Sequence, residues 1–491
     1  MIPTIHGLIT LVIGLWLLRK GDPLFVLCAM LTLGLFEASA ALVLPVLGNS
    51  SIPPARVMLA FLIIAVLKQI RYRARLLGEA IVANASLVVF SLYGLIGALI
   101  LPRIFAGQLD VVPMRATGLR SLLDSFPLAY SPQNVTTGVY IVGSGITAIA
   151  AYISGRLAED VMPIAKAGVA IALAHAITGM MGALLAGTPW DLVVAFIRNG
   201  SYAQLTQSVG SFLRINGFMA EASAFARFGL VWMIFANELW LRDVNPRWTG
   251  IAALALAAVL ALSSSSTAYV GIGAYAVVLA GRALTFPAYL TADKIIRIAF
   301  VAIAAVVAGL MLVLLSERLA NELAGIFEHM TVDKADSASG QQRKFWAMQG
   351  VEAFKYTWGL GIGAGSFRSS SLATAILGSL GVIGVVTFTA YCLSLLRFVR
   401  VVPTNADERL RLDIAAAAAW AALAGLVPAL VTQPSPDPGM EFAALAGLSL
   451  ALCRPSLKRG ADGERLAAKT PGASRALAGA VRPRAGWSRR T

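Results

Sequence analysis

Two stretches of this chain hold residue types suited to a phosphorylated substrate. In "RINGFMAEASAFARFGLVW", Arg214 and Glu221 precede an apolar run, and Arg227 lies just inside it. Guanidinium is always charged, weakly hydrated and forked for bidentate bonds to phosphate oxygens. An ionisable group carried into an apolar span is costly unless it is paired or functional. Arg214 and Glu221 are seven apart and share a face if the segment is helical. Two readings stay open: a structural arginine–carboxylate pair, or a diphosphate-binding Arg214 beside a Glu221 that acts as general base or orients an acceptor. Glu221 and Arg227, six apart, point to different sides.

The second stretch is "WGLGIGAGSFRSS", residues 358–370, in which Gly361, Gly363 and Gly365 precede Arg368. A dinucleotide fingerprint would need a strand before the glycines, a helix opening on the third, and an acidic residue about 20 positions on. The preceding "QQRKFWAMQGVEAFKYT" instead reads as an amphipathic helix carrying Arg343 and Trp346. The glycines predict an unusual turn or a close backbone approach that brings Arg368 and nearby amides to a membrane edge.

The elements that must position these residues are membrane spans. Of 491 residues, 58% are hydrophobic and 13% charged, with a mean hydropathy of +0.76, whereas soluble domains carry about 25% charge. With about 20 apolar residues per crossing, spans fall near 3–18, 24–46, 55–70, 80–101, 136–153, 163–186, 222–241, 249–263, 267–281, 298–315, 371–396, 413–432 and 440–453. The expected fold is all-α, a polytopic bundle of about 12 to 13 spans over 1–453. Short basic clusters, among them Arg19 with Lys20, Lys68 to Arg75, Arg156, Arg242, Arg282 and Arg397 to Arg411, alternate onto one side, predicted cytoplasmic by the positive-inside rule. That distribution accounts for the net charge of +15 without a nucleic-acid partner. The tail 454–491 reads as a basic, disordered cytoplasmic segment. Cys28, Cys392 and Cys453 lie in apolar runs and read as buried small hydrophobes.

Three large loops, 102–135, 187–221 and 316–370, fall on the outer side. They hold Arg103, Arg115, Arg120, Arg198, Arg214, Arg343, Lys344, Lys355 and Arg368, although the positive-inside rule depletes such loops of cations. A lipid-linked phosphate at the membrane boundary explains that excess. Snorkelling anchors explain individual members equally well.

Three quoted segments carry a resemblance. "QQRKFWAMQGVEAFKYTWGLGIGAGSFRSSSLATAILGSLGVIG" resembles the signature region of the O-antigen polymerase and O-antigen ligase superfamily. "RINGFMAEASAFARF" is similar to that superfamily's outer-loop motif, and "LALSSSSTAYVGIGAYAVVL" to its small-residue hairpin. The first outer loop, "LPRIFAGQLDVVPMR", looks like that of exopolysaccharide polymerases. The signature region covers about 200–400. The resemblance implies a type C glycosyltransferase-like bundle in the bacterial inner membrane. It would act at the periplasmic face on undecaprenyl-diphosphate-linked oligosaccharides, beside other polysaccharide assembly and export proteins. Ligases of the superfamily carry an outer-loop histidine after the glycines, where this chain reads "SFRSSSLA". That departure favours a polymerase over a ligase; His329 lies well before the glycines, and His6 and His175 read as structural. A lipid-linked oligosaccharide flippase is the rival from another class, predicting inverted repeats and small outer loops.

No Asp-x-Asp pair occurs in the chain, so no metal and no cofactor is expected. Preorganised arginines can stabilise a departing diphosphate in place of a divalent ion. The expected diphosphate ligands are Arg214 and Arg343, then Arg368, Arg103 and Arg115, with Glu221 beside Arg214. Trp346 and Trp358 read either as sugar-stacking platforms or as interfacial anchors.

Overall fold

The computed structural model describes residues 2–45, 50–71, 73–114, 123–200, 208–209, 212–285, 290–315 and 338–455. They form the helices α1 (Ile5–Lys20), α2 (Pro23–Leu33), α3 (Pro54–Ile70), α4 (Ala74–Ala83), α5 (Ala85–Ile104), α6 (Pro132–Leu157), α7 (Met162–Leu184) and α8 (Trp190–Ile197). After these come α9 (Ala222–Leu241), α10 (Pro246–Leu262), α11 (Ser266–Thr285), α12 (Ala292–Leu315), α13 (Ala338–Tyr356), α14 (Leu372–Ser394), α15 (Ala406–Thr432) and α16 (Met440–Leu452). Among the described residues, seven helices are long and apolar enough to cross a membrane, and shorter apolar helices such as Pro246–Leu262 and Met440–Leu452 accompany them. The architecture is a polytopic helical bundle. His329 and Arg115, together with the tail beyond residue 455, lie outside the described residues.

Local chemistry sets many of the boundaries. Asp22 accepts from the Leu24 amide at 2.8 Å with Pro23 at the first helical position, a start that loses no helical donor. Asn134 closes a capping box on Ser131 ahead of α6, and Asn405 caps α15 through the Glu408 amide at 2.9 Å. The span expected over 24–46 is cut short. Helix α2 ends at Leu33, and Leu42–Leu44 pairs antiparallel with Ile2–Pro3 and Ser50–Ile52. An apolar run alone does not separate strand from span. The 80–101 span likewise begins earlier, as α4, and breaks at Asn84, whose side chain donates to the Ala80 carbonyl at 2.9 Å.

The centre of the bundle is α6, α9, α15 and α16, with α15 packed on α9 and α16 on α6. Small residues make that proximity possible. A Cβ built on Gly447 would lie 2.2 Å from the Ala148 carbonyl oxygen, and one on Gly155 2.9 Å from the Ala451 methyl. At one end of the bundle, Arg242 and Arg282 both donate to the fully buried Glu238, and Tyr275 adds a 2.8 Å bond. Arg411 donates to the Gly155 and Ala158 carbonyls at 2.9 Å. Arginines expected only as surface markers of one side are thus built into its packing. The other end, where α3, α6, α9, α14 and α16 begin, carries the large loops.

Candidate functional site

At the loop end, residues far apart in sequence converge. Glu221 is the N-cap residue of α9 in extended conformation, and its carboxylate accepts from the Ser223 hydroxyl. Arg214 lies seven residues earlier, in chain that is not helical. A shared helical face therefore does not unite the two; the 214–221 loop folds back and does so instead. Burial lowers the Arg214 pKa from its ordinary value, with the Glu221 carboxylate opposing and the Arg343 guanidinium adding to the depression. The Arg214 Nε is buried without a hydrogen-bond partner. Loss of solvation also lowers the Arg368 pKa, again against the Glu221 carboxylate. Arg214 and Arg368 thus both lie in the field of the Glu221 carboxylate and Arg343 in that of Arg214, a neighbourhood of three cations and one carboxylate with a formal excess of two positive charges in a partly desolvated setting.

Each cation is placed by its own element. Arg343 sits in the second turn of α13, and its carbonyl accepts from the Ser370 hydroxyl at 2.6 Å. The Arg368 guanidinium lies 4.5 Å from the Trp346 ring centroid, a cation–π contact that fixes its direction. The Arg368 amide donates to the Val112 carbonyl at 2.8 Å, and the Ser369 amide to the Pro434 carbonyl at 3.1 Å. Trp346 is thus a support for Arg368, while Trp358 is 95% exposed.

The glycine loop answers to the protein rather than to a ligand. Gly361, Gly363 and Gly365 have φ of 84°, 91° and 83°, the left-handed region that favours glycine. A Cβ on them would stand 2.6 Å from Ser379 O, 2.6 Å from Gly97 O and 2.4 Å from Gln133 O. The loop is pressed between α5, α6 and α14. Its amides are also committed: Gly361 N to Thr357 Oγ1 at 2.9 Å, Ile362 N to Gly378 O at 2.9 Å and Gly363 N to Ser379 O at 3.0 Å. The expectation that amides of this loop face a diphosphate is corrected for these three. The loop's contribution is to hold Arg368.

Arg103 is drawn elsewhere. Its guanidinium lies 3.5 Å from the Tyr130 ring centroid and donates to the Leu99 carbonyl. His175 is buried, with Nε2 3.0 Å from the Phe225 carbonyl and its ring stacked on Phe225, as a structural histidine should be.

Sequence reasoning missed a neighbouring cavity of about 330 Å³, lined by five charged residues from four segments: Glu37, Arg56, Arg227, and Asp437 with Glu441. Arg56 lies 3.8 Å from Asp437 and 3.6 Å from the Tyr140 ring centroid. Arg227 lies 3.7 Å from Glu37 and donates to Gln433. The Gln433 amide in turn holds the Asp437 carbonyl at 2.9 Å. One available signal was Glu441, a lone carboxylate in the first turn of an otherwise apolar helix.

No protein-family model matches this sequence, and no curated protein matches it with significance.

Proposed function

We propose that the protein is a glycosyltransferase that polymerises undecaprenyl-diphosphate-linked oligosaccharide repeat units. It would work at the periplasmic face of a bacterial inner membrane, on a type C glycosyltransferase-like scaffold. The observation that carries this reading is the neighbourhood of Arg214, Arg343 and Arg368 with one carboxylate, Glu221, at the loop end of a membrane bundle. The motif resemblance supplies the substrate class, and the lipid bilayer supplies the donor and acceptor carriers.

In the reaction, an acceptor hydroxyl attacks the anomeric carbon of the donor. The bond from that carbon to the diphosphate oxygen breaks, and the electron pair departs with the diphosphate. Negative charge grows there, and preorganised cations in a water-poor site stabilise it by several kcal/mol. Arg214 and Arg343 take the diphosphate, Arg368 closes the third side, and Glu221 orients Arg214 and Arg368 or accepts the proton.

A deletion strain analysed for surface glycan tests the reading. Loss of high-molecular-weight polymer with single repeat units retained is the expected result. Full-length polymer that is no longer joined to its carrier would assign a ligase instead, and repeat units trapped on the cytoplasmic face a flippase.

A further inference from the structure

The cavity beside the arginine cluster carries a charge of the opposite sense. Its two guanidiniums are both engaged, Arg56 by Asp437 and the Tyr140 face, Arg227 by Glu37 and Gln433. Asp437 also accepts from the Ser144 hydroxyl at 2.6 Å. Among the described residues, Glu441 makes no direct ion pair and takes no hydrogen bond from another residue, Arg227 and Arg56 acting on it only through space, and it packs against Gly34, where a Cβ would come within 3.1 Å of its Oε1. By formal charge, three carboxylates against two guanidiniums leave the cavity with one excess negative charge. An anionic group is therefore repelled from the place where the neighbouring cluster attracts one.

The two neighbourhoods adjoin. Arg227 follows Glu221 by six residues on α9, about 9 Å along the axis at 1.5 Å per residue. The loop 433–439 lines the cavity, and its Pro434 carbonyl accepts the amide next to Arg368. The cavity volume of about 330 Å³ lies at the small end of the range for ligand pockets. Carboxylates and the Gln433 amide converge as hydrogen-bond partners for hydroxyls, and Tyr140, Phe228 and Phe442 supply apolar faces.

We propose that this cavity seats the acceptor saccharide, and that it takes a neutral or amine-bearing sugar end rather than an acidic one. The assignment rests on the polymerase reading. The acceptor hydroxyls meet Glu441, Glu37 and Gln433, and an amine on the sugar pairs with Glu441. The nearby diphosphate of the donor is held by Arg214, Arg343 and Arg368.

The test is calorimetric titration of the full chain in lipid nanodiscs. The probes are maltotriose, a glucosamine trimer and trigalacturonate, with inorganic pyrophosphate as a separate probe of the arginine cluster. Maltotriose and the glucosamine trimer should bind saturably, and trigalacturonate at least tenfold more weakly. Glu441→Gln and the half-exposed Glu37→Gln should each weaken the glucosamine trimer at least tenfold and leave pyrophosphate unaffected. Arg214→Ala should do the reverse. Trigalacturonate as the tightest trisaccharide, Gln variants that bind the glucosamine trimer like wild type, or no trisaccharide binding at all would each overturn the proposal. Saccharide binding without any pyrophosphate binding would instead remove the polymerase reading and leave the saccharide site standing.

Discussion

Replacing Arg214 tests the role of the cation cluster most directly. Three guanidiniums and one carboxylate leave two net positive charges for a departing diphosphate, and Arg214→Ala removes one of them. A unit charge pair at about 4 Å and an effective dielectric of about 20 is worth about 4 kcal/mol. Loss of one preorganised donor in a water-poor site typically lowers kcat by about 10² to 10³, or about 2.7–4 kcal/mol. The two figures agree in size. Because the charge develops in the transition state, the loss should fall on kcat more than on KM. Arg214→Lys keeps the charge but not the planar fork, and should recover to within roughly tenfold of wild type. The assay is conversion of purified lipid-linked repeat units to longer glycan, read as a length distribution, with the variant's helical content checked. An Arg214→Ala protein that is inserted, folded and within threefold of wild-type kcat would refute the reasoning.

Other predictions follow from the same contacts. Gly363→Ala adds a Cβ 2.6 Å from Gly97 O at a φ of 91°. Left-handed strain of about 1–2 kcal/mol and overpacking of about 1–3 kcal/mol should lower the melting temperature sharply, and an unchanged value would count against the packed-loop account. Glu238→Gln removes the carboxylate that Arg242 and Arg282 share, with Asp413 remaining 3.9 Å from Arg242, so a loss of about 3–5 kcal/mol is expected for a broken buried pair, measurable as detergent-solubilised thermal stability. Burial lifts the Asp437 pKa above its ordinary value, with Arg56, the Ser144 hydroxyl, the Gly439 amide and Arg227 opposing. A pKa that is higher folded than unfolded gives stability that is present below the unfolded value and lost as pH rises through the folded one. Asp437→Asn should therefore flatten the gain in melting temperature on acidification, and an unaltered pH slope would contradict this. Arg227→Gln removes one cation and makes the cavity more negative, so the glucosamine trimer should bind about fivefold more tightly, as one charge at about 8 Å and a dielectric of about 40 implies. Weaker binding in the same titration would argue against charge as the selector.

Residue chemistry made the cluster legible, while geometry did not. Arg214, Glu221, Arg343 and Arg368 stand out as ionisable groups at the edges of apolar segments, and that cue does not depend on their fold. The reason they meet lies in a non-helical loop and in a glycine segment wedged between helices, and no periodicity reports on either. The wedge also explains why the glycines misled. A φ near 85° and a missing Cβ are required equally by a phosphate cradle and by backbone pressed on backbone, and only Ser379, Gly97 and Gln133 distinguish the two. Spans read best where the apolar run ended in a charge, as at Ala222–Leu241. They read worst over 24–46, where hydropathy is blind to the strand at Leu42–Leu44. The cavity went unread because Glu37, Arg56 and the pair Asp437 and Glu441 are isolated charges in three separate segments.

The two neighbourhoods share one physical oddity. The Arg214 Nε is buried without a partner, and Glu441 takes no hydrogen bond from another described residue, Arg227 and Arg56 acting on it only through space. A polar group left unsatisfied in the interior costs about 1–3 kcal/mol, and natural sequences eliminate such groups where nothing requires them. Here the unpartnered donor lies on the cationic side, and the carboxylate without a donor from another residue lies on the anionic side. A single ligand system with phosphate at one end and hydroxyls or an amine at the other satisfies both at once. The pattern is that of a site whose incomplete bonding is completed by its substrates, with the division of charge deciding which substrate goes where.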